Sequence, residues 1–318
     1  MRKALGMIFA VVLALQAGTL AAAEKTVLQI GHFPNISHAQ ALVAHQLSRQ
    51  GRGWFEERLG NDVKIEWRLF NAGPSAMESM FAGAVDITYV GPNPAINAFA
   101  KTRGRDIKIL AGSADGGAAL VVNPKAGIEK PADFRGKKIG NTQDVACRAW
   151  LIENGIKVKL TSGEAQVLAT ANPEQLPLFK QGSLDAVWTV EPWITRLEKE
   201  GGAKVFLEQK EAVTTILVTC NRTLKKHPEL VKKFVKAHGE LTDWINKNPQ
   251  EAQKLVRAEL EALTGGKISE ELVKAAWPRL TFTAKVNKEE LQKFCDYAYK
   301  CGFLRRKINM KPIYAEQQ

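Results

Sequence analysis

Several polar side chains stand where predicted strands give way to helices, a position that suits the binding of an anion. Asn141, Thr142 and Gln143 follow a predicted strand over residues 137–140, and Ser75 and Asn93 are predicted to begin two other helices. Free amide groups and the positive end of a helix dipole coordinate sulfonate, phosphonate, nitrate or carboxylate oxygens without a formal positive charge. The alternative is that Asn141, Thr142 or Asn93 only caps its helix, and a predicted capping box already explains Ser75.

Aromatic and acidic residues near the same strand ends could hold the organic part of a ligand. Phe33 follows the first predicted strand and Trp188 lies on a later one, so either could form an apolar wall, with core packing as the competing account. Glu191 could accept a hydrogen bond from a ligand amine, fix a turn, or form a salt bridge between two lobes. Three other tryptophans are expected to pack inside the lobes: Trp67, Trp150 and Trp193.

Two separate stretches repeat the same pattern. Residues 81–94 and 179–193 each end an apolar helix at a glycine, place an acid before a few apolar residues, and break at a proline. Their last polar residues are Asn93 and Glu191. Because open α/β sheets bind ligands at the carboxyl ends of their strands, the repeat predicts two similar lobes that face one cleft. The alternative is a chance resemblance between two helix-to-strand turns.

Residues 1–23 have the features of a cleavable signal peptide. Arg2 and Lys3 precede an apolar run over residues 4–17, and small residues at 21–23 suit the peptidase. The run is too short for a membrane span, and we expect a periplasmic protein. The formal net charge of +12 is consistent with an anionic ligand, and equally with a basic surface that serves only solubility. Export, and the lack of a dense basic run with aromatics, argue against nucleic-acid binding.

Strands alternate with helices along the rest of the chain, which predicts an α/β fold with mainly parallel sheets. A strand over residues 107–111 precedes flexible residues at 114–117, the predicted first crossing between lobes, and a return crossing is expected at 211–214. The predicted first lobe comprises residues 24–113 and 215–318, with long helices from Pro228, Pro249 and Lys288. The second comprises residues 114–214. No low-complexity linker separates the lobes, which favours a hinge.

Histidine and cysteine patterns do not predict a metal or catalytic site. His32 and His38 lie six residues apart across a loop without a recognisable third ligand. No cysteines have C-x-x-C spacing, and Cys295 could pair with Cys301, although buried free thiols are the favoured interpretation. G-x-S-x-G, zinc-hydrolase and P-loop patterns are also missing from the sequence. We expect no cofactor and no enzymatic activity.

A set of motifs, taken in order, resembles the substrate-binding proteins of ABC importers, nearest to their nitrate, sulfonate and taurine group. The motifs are HFPN (32–35), HAQA (38–41), NAGPS (71–75), GPNP (91–94), DFRGKKIGNTQD (133–144) and EPW (191–193). The resemblance covers essentially the whole mature chain. It implies a two-lobed periplasmic binding protein fold, type II-like, whose central cleft closes on a small ligand. Many relatives have Gly-Ser where this chain has Gly140-Asn141, which leaves the substrate open.

The patterns and the resemblance together give a set of expected ligand contacts: Phe33, Asn35, His38, Gly73, Ser75, Asn93, Ser113, Asn141, Thr142, Gln143, Trp188 and Glu191. An aliphatic sulfonate or taurine is the first choice of ligand, ahead of nitrate, bicarbonate, phosphonate and neutral pyrimidine precursors. The expected partner is an ABC permease, and the protein is expected to be monomeric. The alternatives are a periplasmic sensor subunit and an enzyme like the thiamine pyrimidine synthases, whose clustered cysteine motif is missing here.

Overall fold

The computed structural model describes residues 25–315, so the predicted signal peptide lies outside the described residues. The strands are β1 (Thr26–His32), β2 (Val63–Leu69), β3 (Ile87–Val90), β4 (Ile107–Gly116), β5 (Ala118–Val122), β6 (Lys138–Asn141), β7 (Gln166–Ala169), β8 (Ala186–Val190), β9 (Lys204–Gln209), β10 (Val213–Cys220) and β11 (Leu280–Phe282). The helices are α1 (Ala39–Arg49), α2 (Trp54–Leu59), α3 (Gly73–Ala82), α4 (Pro92–Lys101), α5 (Asp144–Glu153), α6 (Asn172–Lys180), α7 (Trp193–Gly201), α8 (Asn221–Lys226), α9 (Pro228–Lys247), α10 (Pro249–Thr264), α11 (Glu270–Ala276) and α12 (Lys288–Lys300). None of these helices is long and apolar enough to cross a membrane.

In the described part of the chain, two mixed sheets repeat one strand order. The first sheet has the order β2-β1-β3-β10-β4-β11, and the second has the order β7-β6-β8-β5-β9. In each sheet three parallel strands come first and antiparallel strands follow. We call the first sheet with its helices the first lobe, and the second sheet with its helices the second lobe. The matching orders make β3 and β8 equivalent strands.

The chain passes between the sheets at two places. The first is at Gly116 and Gly117, whose φ angles are +72° and +64°. A Cβ atom on Gly116 would lie 2.5 Å from the Arg279 carbonyl oxygen, so only glycine fits this crossing. The second is at residues 210–212, between β9 and β10. The expected strand over 107–111 is too short, because β4 continues to Gly116 by pairing with β10 and β11.

The two repeated stretches lie at equivalent positions, because one contains β3 and the other contains β8. Asp86 accepts a hydrogen bond at Oδ2 from the Gln29 amide (2.9 Å) and donates its own amide to the Gln29 carbonyl (2.9 Å). Asp185 makes the same pair of bonds with Lys138, at 2.8 and 2.9 Å. Each acid therefore fixes the register of its strand against the neighbouring parallel strand, and its role in the repeat is structural.

The core of the second lobe contains Trp188, which was expected to form a wall of the cleft. Its side chain is fully buried and packs with Leu120, Phe134 and Ile139, while Trp150 lies 6.2 Å away between ring centroids. All five residues of β8 are buried, because α5 packs on one face of the sheet and α6 and α7 pack on the other. The alternative interpretation, that Trp188 packs in the core, therefore fits the structure.

Candidate functional site

A cleft of about 1310 Å³ lies between the two sheets. Its lining comes from the segments that follow β1, β2 and β3 in the first lobe and β6, β7 and β8 in the second. These segments are the carboxyl ends of the parallel strands, where open α/β sheets bind ligands. Thr214 and residues 303–306 and 308 complete the lining. The cleft is therefore the candidate binding site.

Among the described residues, six helices begin at this cleft. Their first turns or the residues just before them line it: Ser37 and His38 before α1, Gly73 and Pro74 in α3, Asn93 and Pro94 in α4, Gln143 and Asp144 at α5, Asn172 and Pro173 in α6, and Trp193 in α7. A helix presents free amides and a partial positive charge at its first turn. Several such turns around one cleft create a positive potential for an anion.

Two of the predicted helix starts are wrong in detail. Helix α3 begins at Gly73 after Ala72, and the Ser75 hydroxyl donates back to the Ala72 carbonyl at 2.8 Å instead of forming a capping box with Glu78. Ser75 is exposed and lies outside the lining.

Helix α4 begins at Pro92 with Gly91 as its N-cap, so Asn93 lies inside the first turn, not at its cap. The Asn93 Oδ1 accepts from Asn97 Nδ2 at 2.9 Å. Asn93 nevertheless lines the cleft, as does Gly73.

On the first-lobe side, Phe33 and His38 form one wall. Their rings meet edge to face at 4.9 Å between centroids, and the Phe33 amide donates to His38 Nδ1 at 3.4 Å. Burial is the main cause that lowers the pKa of His38 well below its usual value, with neighbouring His32 adding to it. The neutral ring therefore adds no positive charge to the cleft.

The first lobe also reaches across to the second through Asn35. Its Oδ1 accepts from Trp193 Nε1 at 3.0 Å and from Asn172 Nδ2 at 3.4 Å, and all three residues line the cleft. Trp193 packs with Ala118 and Val190 in the second lobe, as expected, and it also lines the cleft. Asn172 was not among the expected contacts. Both follow the carboxyl end of a second-lobe strand, which is the signal that could have identified them.

On the second-lobe side, Asn141, Thr142 and Gln143 line the cleft together. Asn141 is 2% exposed, and its Nδ2 donates to the Leu168 carbonyl at 3.1 Å, which fixes the orientation of its amide. Its Oδ1 is buried without a hydrogen-bond partner among the described residues. A buried acceptor without a partner is costly, so this oxygen is suited to a donor on a ligand or a water molecule.

Two other expected contacts lie away from the cleft. Ser113 is fully buried in β4, where its hydroxyl donates to Gln40 Oε1 at 2.8 Å. Glu191 is also fully buried and accepts from Arg279 at 2.8 Å and from the Thr195 hydroxyl at 2.9 Å. Burial raises the pKa of Glu191, and Arg279 opposes that shift.

The Glu191 contact joins the two lobes. Arg279 precedes β11 of the first lobe, whereas Glu191 follows β8 of the second. The same guanidinium also meets Glu198 at 2.8 Å and Glu208 at 3.6 Å, both in the second lobe. Of the three roles considered for Glu191, the geometry corresponds to the salt bridge between lobes.

Basic side chains outnumber acidic ones at the cleft. Four cations line it, Lys101, Arg103, Arg305 and Arg306, against two acids, Glu78 and Asp144. The Asp144 carboxylate is paired with Arg148 at 2.7 Å. The balance of charge along the lining therefore favours the entry of an anion.

The four cysteines are free and buried. Burial raises the pKa of the Cys295 and Cys301 thiols to about 11, and raises that of Cys147 further. Thiols in this state are poor nucleophiles. Cys295 and Cys301, whose pairing the sequence left open, are two separate thiols in the structure.

A cleft between two α/β lobes, bordered by the starts of six described helices, defines a two-lobed α/β protein with an interlobe cleft. The chain belongs to the NMT1-like family, whose model matches residues 21–260. The taurine-binding periplasmic protein of Escherichia coli strain K12 is 27% identical over 211 residues, 61% of this chain and 63% of that protein. The match thus spans less than two thirds of that relative.

Solved structures share the fold at low sequence identity. The alkanesulfonate-binding protein SsuA from Xanthomonas axonopodis pv. citri, bound to MOPS, superposes with a TM-score of 0.74 at 19% identity, covering 92% of this chain and 99% of that one. The periplasmic nitrate-binding protein NrtA from Synechocystis PCC 6803 gives 0.74 at 13% identity, with 91% and 85% covered. The predicted two-lobed periplasmic binding protein fold is therefore confirmed.

Proposed function

We propose that this protein captures a small organic anion in its cleft, with taurine or another aliphatic sulfonate as the first choice. The observation that carries the proposal is the convergence of helix starts from both lobes on one cleft. Each first turn offers backbone donors to anionic oxygens, and the four basic side chains along the lining steer an anion towards them.

The unpaired Oδ1 of Asn141 supports a ligand that also carries a hydrogen-bond donor. Taurine supplies both groups, because its sulfonate accepts hydrogen bonds and its ammonium donates them. Nitrate and unsubstituted alkanesulfonates carry no donor and would leave this acceptor either unsatisfied or bonded to a water molecule. Phe33 and Trp193 supply apolar surface for the carbon atoms between the two groups.

In this proposal the protein acts in the periplasm and presents its ligand to the permease of an ABC importer. The support is the predicted signal peptide together with the taurine-binding and nitrate-binding proteins described above, whose names call them periplasmic. Closure depends on contacts that a ligand makes with both lobes at once. The Asn35 side chain, bonded to Trp193 and Asn172, lies where such contacts would form. The monomeric state stays a prediction.

A thermal-shift screen tests the ligand class. The compounds are taurine, ethanesulfonate, nitrate, bicarbonate, a phosphonate and a neutral pyrimidine precursor. A ligand at a hundred times its dissociation constant should stabilise the fold by about 2.7 kcal/mol. We expect organic sulfonates to raise the melting temperature most, and a shift with uncharged heterocycles alone would contradict the proposal.

Two matched variants locate the site. Thr142→Ala removes a hydroxyl from the lining and should weaken binding, whereas Ser75→Ala removes one outside the lining and should leave the affinity unchanged. Mass spectrometry of the ligand recovered after incubation separates binding from catalysis. Recovery of an altered ligand would favour the enzyme alternative.

A further inference from the structure

A polar cluster lies in the first lobe, outside the lining of the cleft. His32 ends β1, His45 lies on α1, and Glu259 lies on α10. His32 and Glu259 are fully buried, and His45 is 13% exposed. His45 Nδ1 lies 3.1 Å from His32 Nε2 and 2.8 Å from Glu259 Oε1, and the three atoms lie within 4.8 Å of one another.

The donors of this cluster are fixed by the groups around it. His32 Nδ1 lies 3.3 Å from the Phe33 carbonyl, so it carries the proton and leaves a lone pair on Nε2. The His45 ring stacks on Trp67 at 4.9 Å between centroids. Arg49 Nε donates to Glu259 Oε2 at 2.8 Å, which leaves Oε1 for the cluster.

Hydrogen bonds alone leave the cluster incomplete. His45 Nδ1 lies between two acceptors, His32 Nε2 and Glu259 Oε1. It carries at most one proton, so it can donate to only one of them. Glu259 Oε1 is fully buried and has no aligned hydrogen bond among the described residues, although it lies 2.8 Å from that nitrogen. A cation at this point would satisfy all three lone pairs at once.

We propose that His32, His45 and Glu259 bind a divalent transition-metal ion of the Zn²⁺ class. Two imidazole nitrogens and one carboxylate oxygen form a donor set that zinc accepts, and tetrahedral coordination at bond lengths of about 2.1 Å places the donors about 3.4 Å apart. The observed separations of 3.1 and 2.8 Å would open by about 0.3 and 0.6 Å, and the third separation, which lies within 4.8 Å, would adjust to the same value. Backbone and guanidinium partners orient the ligands, as in other metal sites.

The site is separate from the anion cleft, and it corrects the pairing considered from the sequence. His38 belongs to the cleft wall, while the partners of His32 come from α1 and α10. The ion would join β1 to two helices of the first lobe. With three protein ligands, a water molecule would fill the fourth position. The ion therefore adds a metal site to a protein that was expected to hold none.

Equilibrium dialysis of the tag-free, full-length mature protein against Zn²⁺, followed by elemental analysis, measures the stoichiometry. We expect one bound zinc per chain for the unmodified protein. His45→Gln and Glu259→Gln should reduce bound zinc to the background level. His227→Gln changes a histidine at the start of α9, outside the cluster, and should retain one zinc.

Thermal unfolding and cobalt spectra complete the test. Zn²⁺ should raise the melting temperature of the unmodified protein and of His227→Gln, and should leave that of His45→Gln unchanged. Co²⁺ in place of zinc should give the visible absorption of a four-coordinate site. The inference is overturned if the unmodified protein retains no zinc, which would leave a hydrogen-bond cluster only, or if His45→Gln retains as much as the unmodified protein.

Discussion

The unpaired oxygen of Asn141 makes the choice between two nearly isosteric ligands measurable. Taurine and ethanesulfonate share a sulfonate and two carbons, but only taurine carries an amine that donates to Oδ1. Asn141 is 2% exposed, so a bound ligand that carries no donor and excludes water leaves the oxygen desolvated and unsatisfied. That state costs about 1–3 kcal/mol, so taurine should bind roughly 5- to 150-fold more tightly than ethanesulfonate.

Isothermal titration of both ligands with two proteins isolates this effect. Asn141→Ala removes Oδ1 together with the bond to the Leu168 carbonyl, which weakens both ligands alike, so the affinity ratio should fall towards one. Asn154→Ala is the matched control, because it also removes an amide that donates to a backbone carbonyl, at an exposed position outside the cleft.

Either of two results would refute the assignment of Oδ1 to a ligand donor. The first is equal affinity of the unmodified protein for taurine and ethanesulfonate. The second is an affinity ratio that survives in Asn141→Ala. Both leave the capture of an organic anion intact, whereas the absence of any sulfonate binding would remove the proposed function itself.

Three further predictions concern stability, measured by urea unfolding. Trp188→Ala should lower the free energy of unfolding by about 3–5 kcal/mol, because it empties a fully buried site. Arg279→Gln should cost about 3 kcal/mol by leaving the buried Glu191 carboxylate without its cation, and an effect below 1 kcal/mol would show that the bridge is screened. Burial, with a contribution from Glu290, raises the pKa of Asp115 from 3.8 to about 6. The folded state therefore holds this proton more tightly than the unfolded state, and the free energy of unfolding falls as pH rises from about 4 to 6. Asp115→Asn should remove roughly 1–2 kcal/mol of this pH dependence, a figure that allows for the partial exposure of the carboxyl group.

Local signals predicted the helices that begin at Pro228, Pro249 and Lys288, because proline and N-cap chemistry act within one turn. The same signals misplaced the start of α4. Residues 92 and 94 are both proline, and either fits a first turn, where backbone amides have no partner. Only the path of the chain after β3 decides between them.

The direction of the side chains on β8 could not be predicted from the sequence, for a different reason. Every residue of this strand is buried, so no alternation of polar and apolar residues distinguishes the face of Trp188 from the opposite one. Trp193 packs with Ala118 and Val190 as expected, but its hydrogen bond to Asn35 was not predicted, because the two residues lie 158 positions apart in the chain. Contacts between lobes depend on how the two sheets pack, which no local pattern records.

In the repeated stretches, the shared residues have a structural role, and the residues that differ bear on ligand binding. Asp86 and Asp185 make the same two bonds with a neighbouring strand, so the repeat preserves the register of β3 and β8 and thereby brings both strand ends to the cleft. Beyond those ends the lobes differ. Asn93 stays in the lining, whereas the Glu191 carboxylate turns to Arg279. A free carboxylate in the cleft would repel an anion, and its pairing with Arg279 removes that charge from the cleft while joining the two lobes.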